Sequence, residues 1–140
     1  MNKILVVEAR FYDDIADQLF LGASKIVVKN GMTVEKVPVP GVFEIPAAIK
    51  TVWSANYFAG VVALGCVIRG ETDHYEHICR EVSRAIMDLS VLGGIPIGFG
   101  ILTCENYEQA WERASIDDRD IGGRTASACL DMLKIYSQYK

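Results

Sequence analysis

Histidine is scarce in this chain and cysteine is scattered. There are two histidines, His74 and His77, and four cysteines, Cys66, Cys79, Cys104 and Cys129, with no Cys-x-x-Cys pair. That spacing argues against a zinc site and a disulfide framework, and it points to reduced, mostly buried thiols in a cytoplasmic protein. Basic residues are not in excess. The net charge is -4, which leaves no electrostatic footprint for nucleic acid. No apolar run reaches the length that spans a membrane. The opening run, Ile4 to Val7, is too short for a signal peptide and ends at Glu8, so it reads as a strand. Internal repeats, linkers and low-complexity tracts are also missing.

What is present is 140 residues, 51% of them hydrophobic, which suits one domain over residues 1–140 with a sizeable core. Short runs rich in Val and Ile occur at Ile4–Val7, Val34–Val39, Gly60–Cys66 and Pro96–Leu102. Such unbroken runs predict strands buried on both faces, as in a parallel sheet. Segments of helical period lie between them. The first helix is expected from an N-cap at Asp13, with Ile15, Leu19, Ala23, Ile26 and Val27 on one face and Asn30-Gly31 as its stop. A second runs from Glu44 to about Ala55. In the third, Tyr75, Ile78, Cys79, Val82, Ile86 and Leu89 follow helical spacing up to Gly93-Gly94. A short fourth helix covers Tyr107 to Ala114, and a fifth includes Ala126, Cys129, Leu130 and Leu133. Repeated strand–helix alternation predicts a flavodoxin-like α/β three-layer sandwich, a four-stranded parallel sheet flanked by helices.

In such folds ligands bind beyond the C-terminal ends of the strands. The loop after the third strand carries Arg69-Gly70 and then the start of a helix, where free backbone N–H groups suit an anion. Arg69 either adds charge there or sits in a structural ion pair. His74 falls in the first turn of that helix. Histidine ionises near neutral pH, so His74 reads either as a proton shuttle or as a surface residue. His77, one turn on, reads as a packing or surface residue. In Val39-Pro40-Gly41-Val42-Phe43-Glu44-Ile45-Pro46, two prolines and a glycine set an extended loop that can offer backbone groups to a planar heterocycle. Glu44 is either a ligand-binding carboxylate or a helix N-terminal one. Phe11 either packs under the first helix or stacks on a ligand. Phe99 reads as core, and Arg113 as a surface cation or a bidentate phosphate clamp.

Taken in order, these segments resemble the lumazine synthase family. They are Ala9-Arg10-Phe11, Val39 to Pro46, Leu64-Gly65-Cys66-Val67-Ile68-Arg69-Gly70-Glu71-Thr72-Asp73-His74-Tyr75, Phe99 to Asn106, and Gln109-Ala110-Trp111-Glu112-Arg113-Ala114. The resemblance implies a cofactor-free, metal-free transferase of riboflavin biosynthesis. Such an enzyme condenses 5-amino-6-(D-ribitylamino)uracil with 3,4-dihydroxy-2-butanone 4-phosphate. It implies that Phe11 stacks on the pyrimidine and that Val42, Phe43 and Glu44 hold the ring and ribityl chain. Cys66, Val67 and Ile68 would line the same pocket, and Phe99 would close it from the adjacent subunit. Backbone N–H groups at Glu71 and Thr72, with Arg113 from the neighbour, would bind phosphate, and His74 would move protons. The family assembles as homo-oligomers with active sites between subunits, and a riboflavin synthase is the candidate partner. Only nine residues precede Arg10, so a pentamer or decamer is expected rather than a sixty-subunit shell.

Two positions depart from the family's pattern. Ile121 stands where many members carry lysine before the glycine of the last helix, so a second cation would fall to Arg119 or Arg124. Cys66 stands where threonine is common, in a stretch expected to bind through its backbone. The alternatives are a flavodoxin-like binding module without catalysis, an archaeal-type riboflavin synthase, and a shell subunit with a decayed site. Supplying both substrates and watching for a lumazine tells a synthase from the binding module.

Overall fold

The computed structural model describes residues 2–70 and 73–139. Four strands alternate with helices in the order β1 (Lys3–Ala9), α1 (Asp13–Lys29), β2 (Thr33–Val39), a 3-10 turn (Val42–Glu44), α2 (Ile45–Trp53), β3 (Gly60–Ile68), α3 (His74–Val91), β4 (Ile97–Cys104), α4 (Tyr107–Ala114) and α5 (Ile121–Tyr139). The sheet is wholly parallel with strand order β2-β1-β3-β4.

Alternation along the two inner strands divides the core. Ile4 and Val6 of β1 join Val62, Leu64 and Cys66 of β3 beneath α1, α4 and α5, through Ile15, Leu19, Ala110 and Ala126. Leu5, Val7 and Ala9 join Val61 and Ala63 on the opposite face, against Ile45 and Ile49 of α2 and Val82 and Ile86 of α3. Both faces of β1 and β3 are therefore covered, as their unbroken apolar runs require.

The outer strands differ from the expectation of burial on both faces. β2 contains no buried residue, because it forms one border of the sheet, and Pro38, which has no N–H to give a ladder, is tolerated there. β4 forms the other border and leaves Phe99 and Thr103 exposed. Phe99 is thus not core, as its residue type had suggested; it is 45% exposed. Three boundaries also shift. Asp13 is the first residue of α1 and Tyr12 occupies the capping position. The expected second helix is split into the 3-10 turn and α2. Val67, Ile68, Thr103 and Cys104 belong to strands and not to loops. No helix among the described residues is long and apolar enough to cross a membrane.

Candidate active site

The loop leaving β1 begins at a buried charge. Glu8 is almost wholly buried, and its carboxylate accepts two hydrogen bonds from Arg10 Nη1 at 3.1 and 3.0 Å. The guanidinium also pairs with Asp13 and Asp17 of α1. Asp17 first, and then Glu8, hold the Arg10 pKa above its ordinary range. Next in the chain, Phe11 projects outward with 75% of its surface exposed, and the ring of Tyr12 meets it edge-on at 4.9 Å. Burial raises the pKa of the Tyr12 phenol, which keeps it a neutral donor.

Opposite Phe11 stands the 3-10 turn. Val42 is buried beneath it, while Phe43 and Glu44 are exposed. The turn seats closely on β3 because residue 65 is glycine: a Cβ there would come within 2.9 Å of Val42 Cγ2. Glu44 occupies the capping position of α2 yet its side chain makes no capping hydrogen bond. Glu44 instead borders the cavity between the turn and Phe11.

β3 supplies the floor. Cys66 is buried, and burial followed by the neighbouring Cys104 pushes its thiol pKa up to about 12. A thiol so protonated is no nucleophile at neutral pH, which leaves Cys66 a packing and backbone role. Arg69, left open by its sequence position, is an ion-pair residue. Its Nη1 donates to Glu76 at 2.9 Å, its Nε donates to Glu105 at 3.0 Å, and its guanidinium lies 4.5 Å from the centre of the Tyr75 ring. His74 opens α3 on the exposed side, and His77 pairs at the surface with Asp73 at 3.1 Å.

These pieces meet in one cavity of about 590 Å³, lined by Phe11, Val42, Phe43, Glu44, Cys66, Val67, Ile68 and His74, with Tyr12, Gly41 and Ile78. Its size suits a small organic ligand, with apolar walls and a few polar groups. Tyr12 and Ile78 had not been singled out as site residues. Ile78 carries the one available signal, since it lies four residues from His74 and so on the same helix face. Glu71 and Thr72, expected to bind phosphate through their backbone, lie outside the described residues.

Two expected residues sit elsewhere in the chain. Phe99 lies on β4 beside a separate hollow of about 310 Å³ with Ile86 and Met87 of α3. Arg113 is half-buried at the end of α4, where Nη1 donates to the Thr103 carbonyl at 3.3 Å and lies 3.2 Å from Cys104 Sγ. Both belong to the β4 border, apart from the cavity at Phe11. Ile121 packs against the α1-side core, and Arg119 and Arg124 are exposed. A larger hollow, about 750 Å³, lies between α1 and the segment before α5 and is lined by none of the strand residues. Among the described residues, no group of three or more His, Cys, Asp or Glu is placed to hold a metal ion.

Comparison with known proteins bears on the same residues. Residues 1–137 match the family model of 6,7-dimethyl-8-ribityllumazine synthase. A 6,7-dimethyl-8-ribityllumazine synthase of Methylorubrum extorquens (strain PA1) is 50% identical over 139 residues, covering 96% of this chain and 80% of that protein. One of Agrobacterium fabrum is 49% identical over 137 residues, 94% of this chain and 93% of that protein. One of Bartonella tribocorum is 47% identical over 137 residues, 97% and 91% respectively. With a match that spans the strand-end loops as well as the core, the chain belongs to the 6,7-dimethyl-8-ribityllumazine synthase family.

Proposed function

We propose that this chain, as one synthase domain in the cytoplasm, condenses 5-amino-6-(D-ribitylamino)uracil with 3,4-dihydroxy-2-butanone 4-phosphate. The products are 6,7-dimethyl-8-ribityllumazine, phosphate and water. The observation that carries this reading is the strand-end cavity itself. An exposed aromatic ring, Phe11, faces the Phe43 and Glu44 turn across a space with His74 at its rim.

The chemistry suits such a site. The ring amine attacks the ketone and water leaves, giving an imine. Phosphate is then eliminated, the resulting enol tautomerises to a ketone, and the ribityl-bearing amine closes the second ring with loss of another water. Nucleophile, electrophile and leaving group all belong to the substrates, so the reading assigns no cofactor or metal. The protein's part is to hold two reactants in register and move protons. Phe11 stacks on the pyrimidine; the backbone at Val42 and Phe43 and the Glu44 carboxylate hold its edge and the ribityl chain. Cys66, Val67 and Ile68 form the wall, and His74 carries protons between successive steps. Phosphate falls to the backbone at Glu71 and Thr72 and to Arg113 of the partner subunit, and Phe99 of the partner subunit closes the pocket.

This reading needs copies of the chain in contact. It is supported by the apolar side chains left exposed near the β4 border: Phe99 on the strand, and Met87, Val91 and Leu92 along and just after α3. A pentamer, or two pentamers joined, is the expected assembly. Native mass spectrometry should find five or ten copies, and a mass near sixty copies would refute this. The product is what a riboflavin synthase consumes, which makes that enzyme the expected partner.

Mixing both substrates with the purified protein and following lumazine absorbance and fluorescence tests the activity; no product would overturn the reading. His74→Ala should slow turnover about tenfold without abolishing it. That is below the ~10²–10⁴ typical of a positioned proton-transfer group, because the substrates supply much of the reactivity.

A further inference from the structure

The buried Glu8 has no part in the reaction above, and its surroundings suggest another role. It lies on β1 with 1% of its surface exposed. A carboxylate so placed has lost its water and must be matched by charge and hydrogen bonds. Arg10 Nη1 provides both, reaching its two oxygens at 3.1 and 3.0 Å, and Lys36 Nζ on the adjacent strand stands 3.6 Å away. The same guanidinium then reaches forward. Its Nε donates to Asp13 Oδ1 at 3.3 Å, its Nη2 donates to the Asp13 carbonyl at 3.4 Å, and Nη2 also donates to Asp17 one turn further along α1.

One planar group is therefore bonded to residues two before, three after and seven after its own position. Phe11 sits in the middle of the segment that these bonds enclose. The end of β1 and the first turns of α1 are tied to the same fork, so the backbone between them has little room to move. A largely exposed phenyl ring would otherwise lower its free energy by folding onto nearby apolar surface. Only an arginine, with donors fixed in one plane, can face a strand carboxylate and two helix carboxylates together; an ammonium is a point charge without that geometry.

We propose that Arg10 is a positioning residue, clamped among Glu8, Asp13 and Asp17, that holds Phe11 open as a preformed stacking face for the pyrimidine. The inference rests on the functional reading above for the identity of what stacks, though not for the clamp itself. Preforming the face removes the cost of ordering it when substrate arrives.

The test uses the assembled protein and two readouts. Calorimetric binding of 5-amino-6-(D-ribitylamino)uracil alone should weaken about three- to tenfold in Arg10→Ala, the worth of one side chain that must be immobilised on binding. Phe11→Ala should weaken it at least as much. The double variant should bind no more weakly than Phe11→Ala, because Arg10 acts through that ring. Amide hydrogen exchange at residues 10–12, measured without ligand, should speed up in Arg10→Ala. Should Arg10→Ala fail to fold, Asp17→Ala carries the same test, since it removes one exposed partner and leaves Glu8 paired. Losses that multiply in the double variant, or exchange at residues 10–12 that stays at the wild-type rate, overturn the proposal. If the wild type makes no lumazine, the functional reading falls, and the exchange rates still decide the clamp.

Discussion

Arg113→Ala should lower kcat/KM for the sugar phosphate by roughly a hundredfold, about 2–3 kcal/mol, mostly as a rise in KM for that substrate. A guanidinium has five N–H donors in one plane. In this chain Nη1 is held by the Thr103 carbonyl at 3.3 Å and faces Cys104 Sγ at 3.2 Å. Those contacts fix the plane at the β4 border and leave donors on the remaining nitrogens, which the proposed function assigns to two phosphate oxygens of a ligand bound by the neighbouring copy. Arg113→Lys should recover only part of the loss, because a point charge replaces the fork. The loss should also exceed that of His74→Ala, since an anion with no counter-charge cannot be compensated by the substrates' own reactivity. Steady-state kinetics with each substrate varied in turn checks this. An unchanged KM for the sugar phosphate would remove Arg113 from the site. The same assay on Arg119→Ala and Arg124→Ala decides whether either supplies a second cation in place of a lysine at position 121.

Gly122→Ala should be the most destabilising single methyl in the described fold, at about 3 kcal/mol and a fall of roughly 10 °C in Tm. A Cβ at this position would drive into the backbone of Leu19, overlapping its carbonyl oxygen and lying 2.8 Å from its carbonyl carbon. Neither partner can yield easily. Gly122 is in the first turn of α5, and Leu19 is buried in the middle of α1. The two helices pack backbone to backbone at this point, and only a residue without a side chain permits it. Gly70→Ala is the matched control, because a Cβ there meets nothing within 4 Å among the described residues. Thermal unfolding of the three proteins followed by circular dichroism checks the pair. A Gly122→Ala variant as stable as wild type would mean that α5 shifts on α1 at little cost.

The inner part of this fold is legible from residue order, and its borders are not. Ile4 to Val7 and Gly60 to Cys66 are apolar at every position, and only a strand covered on both faces accepts that pattern. Val34 to Val39 carries Glu35, Lys36 and Pro38 between its valines, the residues of a rim strand, and only its three valines suggest a covered one. A count of apolar residues reports that a segment is extended; it does not report which neighbours the segment has. The exposure of Phe99 is hidden for the same reason, since it follows from β4 having one strand beside it. The cavity was more readable, because strand-end loops are fixed by topology once the sheet is parallel. Phe11, Glu44 and His74 could be named on that ground. Tyr12 could not, because it also packs against the α1-side core, which is how an aromatic residue at the start of a helix ordinarily reads. Arg69 stays open in the sequence between an anion ligand and an ion pair, because its two carboxylate partners, Glu76 and Glu105, lie 7 and 36 residues away. Partners so distant in the chain leave no local trace.

The two rims of the sheet are unequally guarded. At one, Pro38 offers a nitrogen without hydrogen and Lys36 a charge, so a foreign strand meets poor terms for joining. At the other, Phe99 is exposed and β4 has a strand on one side only, with Arg113 meeting the Thr103 carbonyl, so that rim is the better template for uncontrolled growth. A subunit that is freshly made, or diluted away from its fellows, is therefore most prone to aggregate along that second rim. Assembly then also acts as the chain's safeguard against fibrils, and expression yield should depend on how quickly neighbours arrive to cover it.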